Sequence, residues 1–261
     1  MKILMVLTRW KGGVGGSVKE IKNELERKGH KVEVISREED LGGKFNEGGL
    51  LKTFSKLRKE VKKKDYDILY TQDWSCALPL IFLKNHYCCF RGHQTGKTKH
   101  LQNIVGRYLG RNLIVVGDSL KDKFPKSNLI YNGVDLIKFH DLKKERKYIG
   151  WVNKEGEDIT KEEFLELAKK NNLKPLIANN FSIPYEKMNE DFYSKCKIFI
   201  SFVKDYAGFN KVWIEAKASG VPLIMGNENG IGIKKVLETP IEYFSWNKNV
   251  NKLLEVWNER T

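Results

Sequence analysis

Apolar and polar positions along this chain follow two alternating periods. Short runs rich in β-branched and aromatic residues, KILMVLT at 2–8, KVEVI at 31–35, DILYT at 67–71, YCCF at 87–90, LIVVG at 113–117 and NLIYN at 128–132, read as strands buried on both faces. Between them the 3.6-residue period predicts helices over 17–29, 50–64 and 98–109. A second series follows the basic segment HDLKKERK at 140–147. Its strands are YIGWV at 148–152, PLIAN at 175–179, KIFISF at 197–202 and VPLIM at 221–225, with helices near 161–171, 186–196 and 210–219. Such alternation predicts parallel sheets covered by helices, and two series in tandem predict two α/β units facing each other across a cleft. The last helix, near 247–259, carries Val250, Leu253, Leu254 and Trp257 on one stripe, so it has to pack on something.

Composition narrows this picture. The 261 residues suffice for a real core, and no apolar run approaches the ~20 residues of a membrane span. The opening run MKILMVLT passes directly into charge and glycine without a small-residue cleavage site, so it reads as a core strand and not as a signal peptide. The four cysteines, Cys76, Cys88, Cys89 and Cys196, have neither zinc-ligand spacing nor a secreted framework and read as reduced, buried thiols of a cytoplasmic protein. The Lys/Glu excess is a weak sign of a heat-adapted source.

A net charge of +14 points to an anionic partner: nucleic acid, an acidic membrane surface or a phosphorylated small molecule. The densest basic run, KLRKEVKKK at 56–64, has Leu57 and Val61 on one side, which favours the solvated face of an amphipathic helix over a nucleic-acid arm.

Several motifs carry chemistry or imitate it. The stretch CCFRGHQTGKTKH at 88–100 ends like a phosphate-binding loop, but the glycine that loop needs at 91 is Arg91, which excludes the ATPase reading. Asp65-Tyr66-Asp67 spells an Asp-x-Asp triplet of the kind that binds a metal ion, yet it follows a lysine-rich helix and precedes a strand, and it reads as a turn. In WKGGVGGSVKE, Ser17 and Glu20 form a capping-box pattern that sets a helix start near Val18. Gly12, Gly13, Gly15 and Gly16 then make a loop onto a helix N-terminus, where an anion gains ~0.3–2 kcal/mol. The pattern is not G-x-G-x-x-G, and the acid expected after the second strand is ambiguous among Glu38, Glu39 and Asp40, so a dehydrogenase and a plain tight turn both stay open.

Asn132-Gly133-Val134-Asp135 by itself is a turn signal. In DYAGFNKVWIEAKASGVPLIMG at 205–226, Gly208 opens a loop onto a helix with Glu215 one turn past Lys211. Backbone N–H groups there suit a diphosphate and the carboxylate suits two ribose hydroxyls, whereas the plainer alternative is a Lys211–Glu215 surface pair worth only ~0.3–0.5 kcal/mol.

Taken in order, GGVGGSVKEIKNELERKGHKVEVI, NGVD followed by Phe139, and GFNKVWIEAKASGVPLI resemble the retaining glycosyltransferases of family four, which have the GT-B fold. The resemblance implies two Rossmann-like domains with mostly parallel sheets: residues 1–140 on the acceptor side, with the helix 246–261 packed back on them, and residues 141–245 on the nucleotide-sugar side. It implies that Glu215 grips the donor ribose and that backbone N–H groups from Gly208 through Phe209, Asn210 and Lys211 to Val212 hold the diphosphate. Gly13, Gly15 and Gly16 would form the acceptor or phosphate loop, and His93 would be the catalytic residue at the reacting sugar or the acceptor hydroxyl.

Two positions depart from the family pattern. Ala207 stands where a glutamate contacts the donor sugar, and Trp151 stands where the arginine of an arginine and lysine pair neutralises the leaving group; the lysine's role passes to Lys154 or Lys161, with Lys211 a third candidate. The expected protein is a metal-independent hexosyltransferase, without cofactor, that moves a sugar from a nucleoside-diphosphate sugar to a hydroxyl acceptor with retention. Phosphorylated or lipid-linked acceptors and peripheral contact with an anionic membrane both suit the charge. Two alternatives stay open: a relative that binds nucleotide sugars without transferring them, and a basic nucleic-acid-binding α/β protein.

Overall fold

The computed structural model describes residues 1–42, 50–94, 96, 98–153, 159–179, 182–202, 209–226 and 231–259. The chain divides into two units, Met1–Tyr131 with Asn249–Thr261, and Asn132–Lys248.

The first unit runs β1 (Lys2–Leu7), α1 (Gly13–Arg27), β2 (Lys31–Ser36), α2 (Leu50–Lys62), β3 (Ile68–Gln72), α3 (Trp74–Ala77), β4 (His86–Phe90), α4 (Thr98–Leu109), β5 (Leu113–Val115), α5 (Asp118–Lys123) and β6 (Asn128–Leu129). Its sheet is parallel in the order β2-β1-β3-β4-β5-β6. Burial on both faces explains why β1, β3 and β4 are near-continuous apolar runs. On one side Leu4, Val6 and Leu69 pack under Leu57 and Val61. Farther along the same side, as the strand register requires, Cys88, Phe90, Leu113 and Val115 pack with Trp74, Val105 and Leu120. The apolar side of the basic run at 56–64 is thus core, and its lysines are the solvated face of α2.

The second unit runs β7 (Tyr148–Asn153), α6 (Lys161–Lys170), β8 (Lys174–Asn179), α7 (Met188–Asp191), β9 (Cys196–Ile200), α8 (Lys211–Ala218), β10 (Leu223–Met225) and α9 (Ile231–Glu238), with a parallel sheet in the order β10-β9-β7-β8. Helix α10 (Trp246–Asn258) ends the chain. Its stripe of Val250, Leu253 and Trp257 is buried, and within the first unit Trp257 sits edge-on to Tyr70 at 5.3 Å.

Three expectations need correction. Helix α1 starts at Gly13 and not near Val18. Gly12, at φ 88°, turns the chain into it, and Ser17 donates its hydroxyl back to the Gly13 carbonyl instead of forming a capping box with Glu20. The helix predicted over 186–196 is broken: short 3-10 turns at Tyr185–Lys187 and Tyr193–Lys195 flank α7, which lets Phe192 and Tyr193 both turn inward. The strand expected over 128–132 pairs only at Asn128 and Leu129.

Candidate functional site

Open α/β sheets bind ligands at the carboxyl edge, where strand order reverses. In the first unit that point lies between β1 and β3, in the second between β7 and β9.

At the first switch point the chain leaves β1 through Thr8 and Trp10 into the first turn of α1. Gly13, Gly15 and Gly16 therefore belong to the helix and not to a loop before it. Gly15 is required sterically, because a β-carbon there would overlap the Trp10 carbonyl. Asp73, directly after β3, is a residue that sequence reasoning missed. It is not glycine, yet it has φ 79° and ψ 152°, a region almost reserved for glycine, and such strain collects at functional sites. Its carboxylate accepts from the backbone N–H of Trp74 at 2.6 Å, and the Ser75 hydroxyl lies 3.4 Å away. Burial raises its pKa to about 6, against those hydrogen bonds and the buried guanidinium of Arg37. The one cue in the sequence is an Asp two residues after a predicted strand.

His93 follows β4 and is half-buried, with Nε2 3.1 Å from the Ser119 hydroxyl. Burial first, then Lys123 and Lys99, lower its pKa, so the imidazole is neutral at pH 7. The loop carrying it is clamped by Gln102, a buried polar residue on α4, which donates to the Gly92 carbonyl at 2.8 Å and accepts from the Gln94 N–H at 3.1 Å. Sequence reasoning passed over Gln102. The four cysteines are free and buried, and burial pushes Cys76 up to about 11, so that thiol stays protonated. Asp65 and Asp67 are both taken by Lys2, Asp65 by its ammonium and Asp67 by its backbone N–H at 2.7 Å. Among the described residues no cluster of His, Cys, Asp and Glu could hold a metal ion.

In the second unit α8 follows β9. Asn210 is its N-cap residue, but that side chain donates to the Ser201 hydroxyl at 2.9 Å and does not cap the helix. The first turn holds no acid, and Lys211 opens it. Phe209 is buried and stacks on Phe244 at 5.4 Å, while its carbonyl accepts from Asn132. The Asn-Gly-Val-Asp turn thereby ties to the start of α8.

Glu215, one turn further on, is only 3% exposed. Its two oxygens accept from the hydroxyls of Tyr185 at 3.0 Å and Tyr193 at 3.1 Å, and the Lys211 ammonium lies 3.4 Å away. Lys211 also lies over the ring of Tyr185 at 4.5 Å. Phe139 packs beneath both tyrosines. The Lys211–Glu215 pair is therefore real but buried, and two protein hydroxyls hold the carboxylate where ribose hydroxyls were expected. Tyr193 is fully buried, whereas Tyr185 is half-exposed, so Oε1 is the oxygen a ligand can reach by displacing a neighbour.

Lys161 is the exposed first residue of α6, capped by Thr160 in a capping box with Glu163. Val212 is half-buried beside Lys211. Gly208 and Lys154, like Ala207, Asp205 and Lys97, lie outside the described residues. Trp151 is buried against Phe164 at 5.3 Å, so its side chain is core and brings no cation to the edge of β7.

No protein-family model matches the chain, and no curated protein matches it in sequence. Solved structures do. AviGT4, a glycosyltransferase involved in avilamycin A biosynthesis, is 10% identical with a TM-score of 0.62 over 99% of this chain and 97% of that one. HepE from Anabaena in complex with UDP is 13% identical at 0.60, over 99% and 100%. An α-glucosyltransferase in complex with UDP and a 13-mer DNA is 12% identical at 0.57, over 100% and 93%. Among known architectures this α/β chain with its two parallel, Rossmann-like sheets therefore has the GT-B fold.

Proposed function

We propose that the protein is a glycosyltransferase that takes a sugar from a nucleoside-diphosphate donor to a hydroxyl acceptor, with retention at the anomeric carbon and without a metal ion. The observation that carries this reading is the start of α8: an uncapped, acid-free helix N-terminus led by Lys211, with the Glu215 carboxylate one turn on. N–H groups from Gly208 to Val212 and the Lys211 ammonium suit a diphosphate, and Glu215 suits a ribose. Two of the similar solved structures hold UDP, which supports a uridine nucleotide as the first probe.

In this reading the donor ribose replaces the Tyr185 hydroxyl at Glu215 Oε1 while Tyr193 keeps the other oxygen in place. As the glycosidic bond to the diphosphate breaks, charge gathers on the leaving oxygens, where the α8 terminus and Lys211 stabilise it, with Lys161 and Lys154 as further cations. Within the first unit His93, neutral at pH 7, is the candidate hydrogen-bond partner of a substrate hydroxyl.

Titration calorimetry with UDP, ADP, GDP and dTDP tests the donor site, and no heat with any of them defeats the proposal. Tyr185→Phe gives a test whose sign is informative. Removing a competing hydroxyl worth ~0.5–1.5 kcal/mol is expected to tighten nucleotide binding by about 2- to 10-fold. If the phenol instead builds the site, the same substitution weakens binding.

The core position of Trp151 favours one second reading, a protein that binds nucleotide sugars without transferring them. Nucleotide binding with no sugar released from any donor, with or without acceptor, would establish that reading.

A further inference from the structure

Among the described residues of the first unit the exposed large apolar side chains are Trp10, Phe82, Ile104 and Tyr108, and the last three lie together. Phe82, in the turn before β4, is 72% exposed, and Ile104 and Tyr108, one turn apart on α4, are 57% exposed each. The Phe82 and Tyr108 rings meet edge to face at 5.5 Å. A folded chain that leaves three such groups side by side in water forgoes their burial unless something covers them.

The surroundings say what that is. From Trp74 to Gly117 the chain contains no Asp or Glu at all. Lys84 stands two residues after Phe82, and Arg107 and Arg111 flank Tyr108; all three are exposed, as is Lys99 at the start of α4. Asp65 and Asp67, which line one hollow with Lys84, are already engaged by Lys2. The patch lies at the amino edge of the sheet, before β4 and after α4, away from the carboxyl edge that carries Asp73 and His93, so it is not part of the candidate site.

We propose that Phe82, Ile104 and Tyr108 form a wedge that inserts into the interface of an anionic bilayer, with Lys84, Arg107 and Arg111 on the lipid headgroups. Aromatic and aliphatic side chains ringed by arginine and lysine are the composition of interfacial anchors. Three side chains fall well short of the roughly 800 Å² per partner that a stable protein interface buries. Nucleic acid fits less well: the two rings pack on each other instead of presenting open faces, and Ile104 has no counterpart among the bases.

The test is flotation of the full chain with vesicles of phosphatidylcholine alone or mixed with phosphatidylglycerol. The wild type is expected to float with the mixed vesicles only, and less so as salt rises. The Phe82→Ser, Ile104→Ser, Tyr108→Ser triple variant should bind about tenfold more weakly or worse. Arg107→Glu with Arg111→Glu should lose at least on the order of fivefold per side chain. All these positions are exposed, so an unchanged melting temperature is expected and shows that the fold is kept.

Any one of the following overturns the proposal: a wild type that ignores mixed vesicles, equal flotation with phosphatidylcholine alone, or variants that float like the wild type. So does retention on a single-stranded or duplex oligonucleotide without vesicle binding, which would assign the patch to nucleic acid, or a wild-type dimer in sedimentation that Phe82→Ser dissolves.

Discussion

Glutamine at Glu215 is expected to weaken UDP binding by roughly 10- to 150-fold while the second unit stays folded. The range is that of one hydrogen bond to a charged acceptor, about 1.5–3 kcal/mol. Glutamine keeps the shape and one carbonyl oxygen, so a phenol hydroxyl can still be satisfied. What it removes is the negative charge that faces Lys211 at 3.4 Å and that a ribose hydroxyl would share at Oε1.

Alanine is a harsher change, and its main effect falls on stability. Both substitutions leave the largely buried Lys211 ammonium without its counter-ion, but alanine also leaves the hydroxyls of Tyr185 and Tyr193 without their acceptor. Each buried hydroxyl left unsatisfied adds ~1–3 kcal/mol. The two variants therefore divide the roles of the residue. A glutamine variant that melts normally and binds UDP like the wild type would make Glu215 a purely structural carboxylate, and the donor site would have to be sought elsewhere.

The architecture was legible wherever a period is long enough to read. β1, β3 and β4 announce themselves as β-branched and aromatic runs because both faces are covered, and α4 spans the same residues as its apolar stripe. Helices α3 and α5 are too short to show a period. The start of α1 was misplaced for a different reason. Ser17-Val-Lys-Glu20 has the local chemistry of a capping box, but the helix begins earlier, because Gly12 can take a positive φ and Gly15 allows the Trp10 carbonyl to come close.

The candidate site divides along the same line. Glu215 and Lys211 stand four residues apart on one helix and could be read as a pair. Their burial could not, because it is made by Tyr185 and Tyr193, 30 and 22 residues away from Glu215 in the chain. Asp73 was illegible because its backbone angle is imposed by the packing around it and leaves no mark in composition.

Asp73 also gives the second large expectation, a pH response that the wild type conceals. Two buried groups of the first unit titrate over one window with opposite signs. His86, buried in β4 with Nε2 2.9 Å from the Thr71 hydroxyl, has its pKa lowered from 6.5 to about 4 by burial. The unfolded chain therefore takes up a proton below pH 6.5 that the folded one refuses, and stability falls as the pH drops from 6.5 to 4. Asp73 has its pKa raised from 3.8 to about 6, so the folded state takes up the proton first, and stability rises as the pH drops from 6 to 3.8.

Each effect reaches ~3 kcal/mol at full extent, so they nearly cancel, and the wild type should show little change in stability between pH 7 and 4.5. Asparagine at Asp73 keeps the side-chain acceptor for the Trp74 N–H and removes the titration. The variant is expected to be more stable than the wild type at pH 7, by up to ~3 kcal/mol, because no carboxylate has to be held charged in a buried place. It should then lose ~2–3 kcal/mol on acidification to pH 4.5 through His86, with further losses of the same sign from His30 and His93, whose pKa burial also lowers. The carboxylates whose pKa hydrogen bonds and ion pairs lower, among them Glu24 and Asp65, contribute alike in both proteins, so the difference between variant and wild type isolates Asp73. Urea unfolding at pH 7, 6, 5 and 4.5 measures all of this. A variant whose profile runs parallel to that of the wild type, whatever the common slope, would mean that Asp73 carries its charge at no cost, and its strained backbone would then be the one mark setting it apart.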